Sequence, residues 1–393
     1  MGTSTASAAP APGSTVRGTT RAEAVVDLGA ITSNLRVLLG LMRQHNPAGS
    51  LMAVVKADGY GHGAVAVARA SLAGGASRLG VATPEEALAL RSAGIDAPVL
   101  AWLWPPGQPV ADALARDVEL GVSSLAHLDA VLDQAGPALP GIHVKVDTGL
   151  GRGGAGPRDA VGLLDAVAAA ARAGRIRIVG LMSHLASADV PGDPSVAEQI
   201  AVFRRLLAAA AERGIDPPVR HLANTAGLID HPDSRFDLAR VGIGGYGLNP
   251  VATALPLRPA MTLRATVALT KRVPAGQGVS YGLTYRTGAE TTLALIPVGY
   301  ADGIPRAASN RGEILVAGRR RRIAGRVAMD QVVVDCGDDP VTAGDRAVVF
   351  GPGDAGEPTA RDWAGYCHTI DYEIVTRIGP RVPRRHVGGT EGP

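Results

Sequence analysis

Between residues 51 and 242, short apolar runs alternate eight times with helix-like segments, and this alternation restricts the chain to folds built on parallel strands. The runs lie at 51–56, 78–83, 98–103, 118–123, 143–147, 178–184, 219–223 and 238–242. Parallel strands need long crossovers, and the Ala/Leu/Arg-rich stretches between the runs, such as 84–93, 158–173 and 195–213, supply them as helices. Thr83-Pro84-Glu85-Glu86 reads as a helix start, with a capping hydroxyl and proline in the first turn. Leu35, Leu38, Leu39 and Met42 recur at helical spacing within 32–45. Eight such units match a (β/α)8 barrel, expected over 22–255; a doubly wound sheet shares the periodicity. Most of the unusual polar residues fall at or just past the carboxyl end of a run, the working face of a barrel, which favours the first.

Near residue 255 the texture changes. Segments 261–272, 291–298, 312–317, 322–327, 331–335 and 346–350 are short, Val-rich and punctuated by Gly, so 256–393 is expected to form a mostly β second domain. The early run within 22–28 has no place among the eight and is a candidate to pair with that domain. Residues 1–21, rich in Ala, Ser, Thr, Gly and Pro, are expected to be a disordered tail rather than a secretory signal. Arg319-Arg320-Arg321-Arg322 reads as a solvated hairpin or loop.

Composition excludes several classes of partner. The net charge is only +3, with no basic face interleaved with aromatics, so nucleic acid is not expected. No apolar stretch approaches the roughly 20 residues that cross a bilayer. Cys336 and Cys367 lack zinc or redox spacing; neither a metal site nor a disulfide framework is expected, and a reducing cytoplasm fits.

Lysine is almost absent. Lys56, Lys145 and Lys271 are the only three, arginine supplying every other basic residue. Arginine stays protonated, whereas a buried lysine can become a nucleophile, base or Schiff-base partner. Lys56 ends the apolar run Leu51-Met52-Ala53-Val54-Val55, and Lys145 interrupts His143-Val144-Lys145-Val146-Asp147. The glycines that follow Lys56 place it at a strand mouth, where burial would lower its pKa and let it attack an aldehyde. The loops after the seventh and eighth strands, Asn224-Thr225-Ala226-Gly227 and Gly242-Ile243-Gly244-Gly245, occupy the position where such barrels bind phosphate. Gly151-Arg152-Gly153-Gly154-Ala155-Gly156 satisfies a dinucleotide fingerprint, but the region after it is an Ala-rich helix rather than a strand ending in an acidic residue.

These segments carry a resemblance. Val55-Lys56-Ala57-Asp58-Gly59-Tyr60-Gly61-His62-Gly63, Lys145-Val146-Asp147-Thr148-Gly149-Leu150-Gly151-Arg152, Ser183-His184, His221-Leu222-Ala223-Asn224-Thr225, Arg240-Val241-Gly242-Ile243, Ser280-Tyr281-Gly282, Gly299-Tyr300-Ala301-Asp302-Gly303 and Ala328-Met329-Asp330 resemble, in order, the motifs of the alanine racemases. The resemblance runs from about 22 to 385. It implies pyridoxal 5′-phosphate (PLP) bound covalently by Lys56, which would also act as one base, with Tyr281 of the partner subunit as the other. Arg240 would face the pyridine nitrogen, oriented by His184. Arg152 and the N–H of Met329 of the partner subunit would hold the substrate carboxylate. Tyr60, Asn224, Thr225, Gly242 and Ile243 match cofactor contacts, with Tyr300 and Asp330 in support. The family carbamylates the lysine at position 145. The implied assembly is a head-to-tail homodimer acting on alanine, with D-alanine destined for peptidoglycan.

Two departures stand out. Ala328 replaces a cysteine frequent in the family, and Pro380 stands where a phosphate-supporting tyrosine was expected before Arg381-Val382-Pro383-Arg384, so that one hydroxyl is missing there. A PLP amino-acid decarboxylase of the same plan, a non-catalytic PLP-binding barrel, and a racemase of serine or lysine are the competing readings. Arg240 weighs against the first, and the second domain against the second.

Overall fold

The structure, a computed structural model, describes residues 20–137 and 139–389. Of the expected tail only Thr20 and Arg21 fall within it, and both are fastened rather than loose. Thr20 O accepts from the Thr266 hydroxyl at 3.0 Å, and the Arg21 guanidinium pairs with Asp302 at 2.8 Å. Residues 1–19 lie outside the described residues.

All eight anticipated runs are strands. After β1 (Ala22–Asp27) come β2 (Ser50–Val54), β3 (Arg78–Val81), β4 (Val99–Ala101), β5 (Val118–Val122), β6 (Gly141–Lys145), β7 (Arg177–Met182), β8 (Val219–His221) and β9 (Leu238–Val241). β2 to β8 pair in parallel with their sequence neighbours, and β9 pairs in parallel with β2. Backbone bonds from Asp237 N–H to Arg220 O and from Arg240 N–H to Ala223 O close the remaining seam at 3.0 and 2.9 Å. This is the barrel, not the doubly wound sheet. Helix Leu28–His45 starts four residues earlier than its apolar spacing suggested, because the Asp27 carboxylate caps it through Ala30 N–H. Its buried stripe, Ile31, Leu35, Leu38 and Met42, turns toward the barrel core. At Pro84–Ser92 the Thr83 hydroxyl and the Glu86 carboxylate form both halves of a capping box.

The second region contains β10 (Met261–Thr266), β11 (Leu269–Val273), β12 (Gly278–Val279), β13 (Tyr285–Arg286), β14 (Thr291–Ile296), β15 (Glu313–Val316), β16 (Arg319–Arg322), β17 (Val332–Asp335), β18 (Arg346–Phe350) and β19 (Arg384–Val387). A six-stranded sheet runs β16-β15-β18-β10-β1-β19, so β1 does join the second domain, between antiparallel β10 and parallel β19. The run 261–272 is two strands, which belong to different sheets. Residues 322–327 are not a strand of their own. The strand is the arginine run itself, folded onto β15 by a two-residue turn with positive φ at Ala317 and Gly318. Four arginines on the outermost strand discourage pairing with another chain, and ion pairs to Asp339 and Asp362 satisfy Arg319 and Arg320. Two short helices, Ala360–Cys367 and Asp371–Thr376, follow the last Val-rich strand.

Candidate active site

Past β2 the backbone turns the wrong way for L-residues. Ala57, Asp58, Gly59, Tyr60 and Gly61 all have φ between 52° and 78°. Each non-glycine residue held there costs on the order of 1–3 kcal/mol. The strain persists because four side chains grip the turn. Glu86 Oε1 accepts from Ala57 N–H at 2.7 Å and Asp58 Oδ1 from Ala64 N–H at 2.9 Å. From β19, Arg384 Nε donates to Gly61 O at 2.9 Å and His386 Nε2 to His62 O at 2.8 Å. His62 is buried and donates from Nδ1 to Tyr60 O; burial, the largest influence, pushes its pKa down to about 4. The turn directs the Lys56 amine and the Tyr60 phenol into one cavity at the carboxyl end of the barrel.

That cavity, about 460 Å³, gathers Lys56, Tyr60, Lys145, Arg152, His184, Asn224, Thr225, Arg240, Gly242 and Ile243, residues that the resemblance singled out. Four cations line it, and no carboxylate does. Burial lowers the pKa of Lys56, with Arg152 adding to the effect and Glu86 opposing it. Lys145 is lowered in the same way by burial, then by Arg240 and Arg152, against Asp147. Arg240 is lowered to about 10 by burial, which still leaves it charged at neutral pH. It donates through one terminal nitrogen to His221 O at 2.9 Å, and through the other to Ser183 O at 2.6 Å and His184 Nδ1 at 3.0 Å. His184 is therefore a neutral acceptor; burial first, then Arg240, holds its pKa at about 3. Among the described residues no protein acceptor meets the Arg240 Nε–H. Asp147 accepts from the N–H groups of Gly149, Leu150 and Gly151, shaping the loop that carries Arg152.

At the far end, Asn224 caps the helix Thr225–Asp230 through Gly227 N–H, and the Thr225 hydroxyl accepts from Gly242 N–H at 3.2 Å. Any side chain at Gly242 would crowd Tyr60. A Cβ there would lie 2.4 Å from the Tyr60 hydroxyl oxygen.

Pro380 brings no hydroxyl to the cavity, but a tyrosine from another part of the second domain lines it. Tyr372, on the short helix Asp371–Thr376, lines the cavity with its ring centroid 6.3 Å from that of Tyr60. Nothing in its local sequence distinguishes it from a surface tyrosine; only tertiary packing places it there. Trp102, one residue past β4, and Met182, closing β7, were also missed, although their position at strand ends was readable.

Tyr281 and Met329 are not in this cavity. Both are exposed, at 71% and 52%, and Tyr281 lines a separate depression of about 220 Å³. Tyr300, also exposed, donates its backbone N–H to Ala328 O, and Ala301 N–H reaches Met329 O. Asp330 and the buried Asp302 are both engaged by Arg381, which fixes the loop presenting Met329.

Residues 26–250 match the alanine racemase N-terminal domain family, and 260–386 the C-terminal domain family. The chain is 54% identical over 371 residues to the alanine racemase of Thermobifida fusca, spanning 93% of this chain and 98% of that protein. Among solved structures, the alanine racemase of Streptomyces lavendulae superposes with a TM-score of 0.91 at 51% identity, covering 95% of this chain and 99% of that one. That of Streptomyces coelicolor superposes at 0.90 with 50% identity, covering 94% and 98%.

Proposed function

This chain belongs to the alanine racemase family, and on that premise we propose that it interconverts L- and D-alanine with PLP as cofactor. The observation that carries the reading is the pairing, in one carboxylate-free cavity, of a lysine of lowered pKa with a buried arginine. The residues present suit PLP. Its phosphate fits the end formed by Tyr60, Thr225, Gly242, Ile243 and Tyr372, where glycine at 242 leaves room for the Tyr60 hydroxyl. Its ring nitrogen suits the free Arg240 Nε–H, and its aldehyde the Lys56 amine.

When bound, PLP supplies an electron sink that acidifies the substrate α-hydrogen. Lys56 Nζ, with burial favouring its neutral form, would hold the cofactor and would move a proton on one face of the α-carbon. Tyr281 of the partner subunit moves the proton on the other face, in keeping with its exposure and its absence from the lining of the Lys56 cavity. A homodimer with shared sites follows. Arg240 would hold the ring nitrogen of the cofactor through its Nε–H and keep its own proton, which would restrain charge build-up on the ring and the side reactions it permits. Arg152 and the backbone N–H of Met329 of the partner subunit hold the substrate carboxylate. A carbamate on Lys145 would replace a cation crowded by Arg240 and Arg152 with an anion able to brace Arg152. No helix among the described residues is long and apolar enough to cross a membrane. We read the enzyme as cytoplasmic and its D-alanine as a peptidoglycan precursor.

Incubation with L-alanine in D₂O tests the reading. Equal amounts of the two enantiomers, deuterated at the α-carbon, are expected by chiral chromatography. Release of CO₂ from basic amino acids without racemisation would favour the decarboxylase instead.

A further inference from the structure

Inside the barrel, away from the cavity, lies a run of buried titratable groups to which the chemistry above assigns no task. Arg78 on β3 contacts both oxygens of Glu119 on β5, at 2.9 and 2.7 Å. Glu119 Oε2 lies 2.9 Å from His143 Nε2 on β6. His143 Nδ1 lies 2.9 Å from His221 Nε2 on β8, and His221 Nδ1 lies 3.3 Å from a terminal nitrogen of Arg240 on β9. Both imidazoles are fully buried and Glu119 is nearly so.

The ends of this chain decide every proton in it. Arginine can only donate and an ionised carboxylate can only accept. Arg240 therefore donates to His221 Nδ1, which leaves the His221 proton on Nε2, where it is donated to His143 Nδ1. The His143 proton is then on Nε2 and is donated to Glu119. Two neutral imidazoles in one tautomer thus connect an anion to the buried cation that faces the cavity. The barrel leaves room for this line of groups. Gly180 on β7 has no side chain where a Cβ would fall 2.4 Å from His143 Nδ1. Lys56, Lys145 and Arg152 crowd the same region with positive charge, and His184, the other imidazole on Arg240, is neutral.

We propose that Glu119, acting through His143 and His221, is the remote counter-ion of Arg240 and a positioning residue for the racemase, setting the orientation and donor strength of the guanidinium toward the cofactor ring. The claim rests on the PLP reading of the cavity, and the test separates the two. In the ¹⁵N-histidine-labelled holoenzyme, long-range ¹H–¹⁵N correlation should show His143 and His221 neutral and protonated on Nε2 between pH 6 and 8. Either ring protonated on Nδ1, or charged, overturns the proposal whether or not the protein racemises alanine. Glu119→Gln keeps the shape and an acceptor oxygen but removes the charge. A displaced absorbance maximum of bound PLP is expected, with kcat lower by about tenfold, the equivalent of one pKa unit at Arg240, and KM within about threefold. A merely structural Glu119 would lower thermal stability and leave both the spectrum and kcat unchanged, and that result would overturn the proposal. A wild-type protein that binds no PLP would instead refute the reading of the cavity.

Discussion

Replacing Gly242 with alanine adds one methyl group, and the structure predicts where the damage goes. The new Cβ falls 2.4 Å from the Tyr60 hydroxyl oxygen and 3.1 Å from its Cζ, well inside contact distance. The backbone at 242 is tied to Thr225 through its N–H. The phenol is the softer side, but Tyr246 packs at 4.7 Å on one of its faces, so it can yield only toward the cavity. Overpacking of this kind costs about 1–3 kcal/mol. With most of that borne by the displaced phenol, the fold should lose about 1 kcal/mol while PLP affinity falls about tenfold, each tenfold corresponding to about 1.4 kcal/mol. Titration of the apoprotein with PLP, followed by absorbance, reads the affinity, and urea unfolding reads the stability. Adding Tyr60→Phe removes the closest atom and leaves the 3.1 Å contact, so the double variant should recover stability relative to Gly242→Ala alone. That non-additivity is the decisive part of the test. Additive effects, or a Gly242→Ala affinity within twofold of wild type, would show that Gly242 and Tyr60 do not share this space.

Tyr372→Phe should weaken PLP binding by about five- to tenfold with little change in fold, about 1 kcal/mol being typical of one hydrogen bond; an unchanged dissociation constant would deny Tyr372 a cofactor contact. Glu86→Ala breaks the capping box and frees Ala57 N–H, so a loss of about 1–2 kcal/mol is expected by urea unfolding, together with a further fall in the Lys56 pKa, because Glu86 raises it. His62 and His184 titrate below the ordinary histidine range when folded, to about 4 and about 3. Their contribution to stability is present above the unfolded value near 6.5 and is lost as pH falls toward 4, so the thermal midpoint should drop across that window; a flat profile would contradict neutral burial of these rings. Mixing Lys56→Ala with Tyr281→Ala protein under conditions of subunit exchange should restore activity, up to a quarter of wild type if exchange is random. No restoration would argue against sites shared between subunits.

The barrel was readable because each of its strands is a short apolar run flanked by an amphipathic helix, and that periodicity survives in the bare sequence. Lys56 was readable because it ends such a run, and Arg152, His184 and Arg240 through the ordered motifs that resemble the alanine racemases. What escaped depends on distant contacts. No local rule sends Ala57, Asp58 and Tyr60 into a left-handed turn; Glu86, Arg384 and His386, remote in sequence, hold them there. Tyr372 was missed for the same reason, since its helix enters the cavity from the second domain. The arginine run was read as a solvated hairpin or loop, and it is a hairpin arm; what four like charges hid, for want of an alternating pattern, is its place as a strand of the six-stranded sheet. The interior line from Glu119 to Arg240 crosses four strands, and spacing along the chain carries no trace of it.

The account depends on one covalent attachment, and a chain with three lysines makes that attachment easy to locate. Borohydride reduction of the coloured holoprotein, followed by proteolysis and mass spectrometry, should place a pyridoxyl group on the peptide containing Lys56, with loss of visible absorbance and of activity together. A label on Lys145 or Lys271, or a reduced protein that carries no label and still racemises alanine, would contradict it.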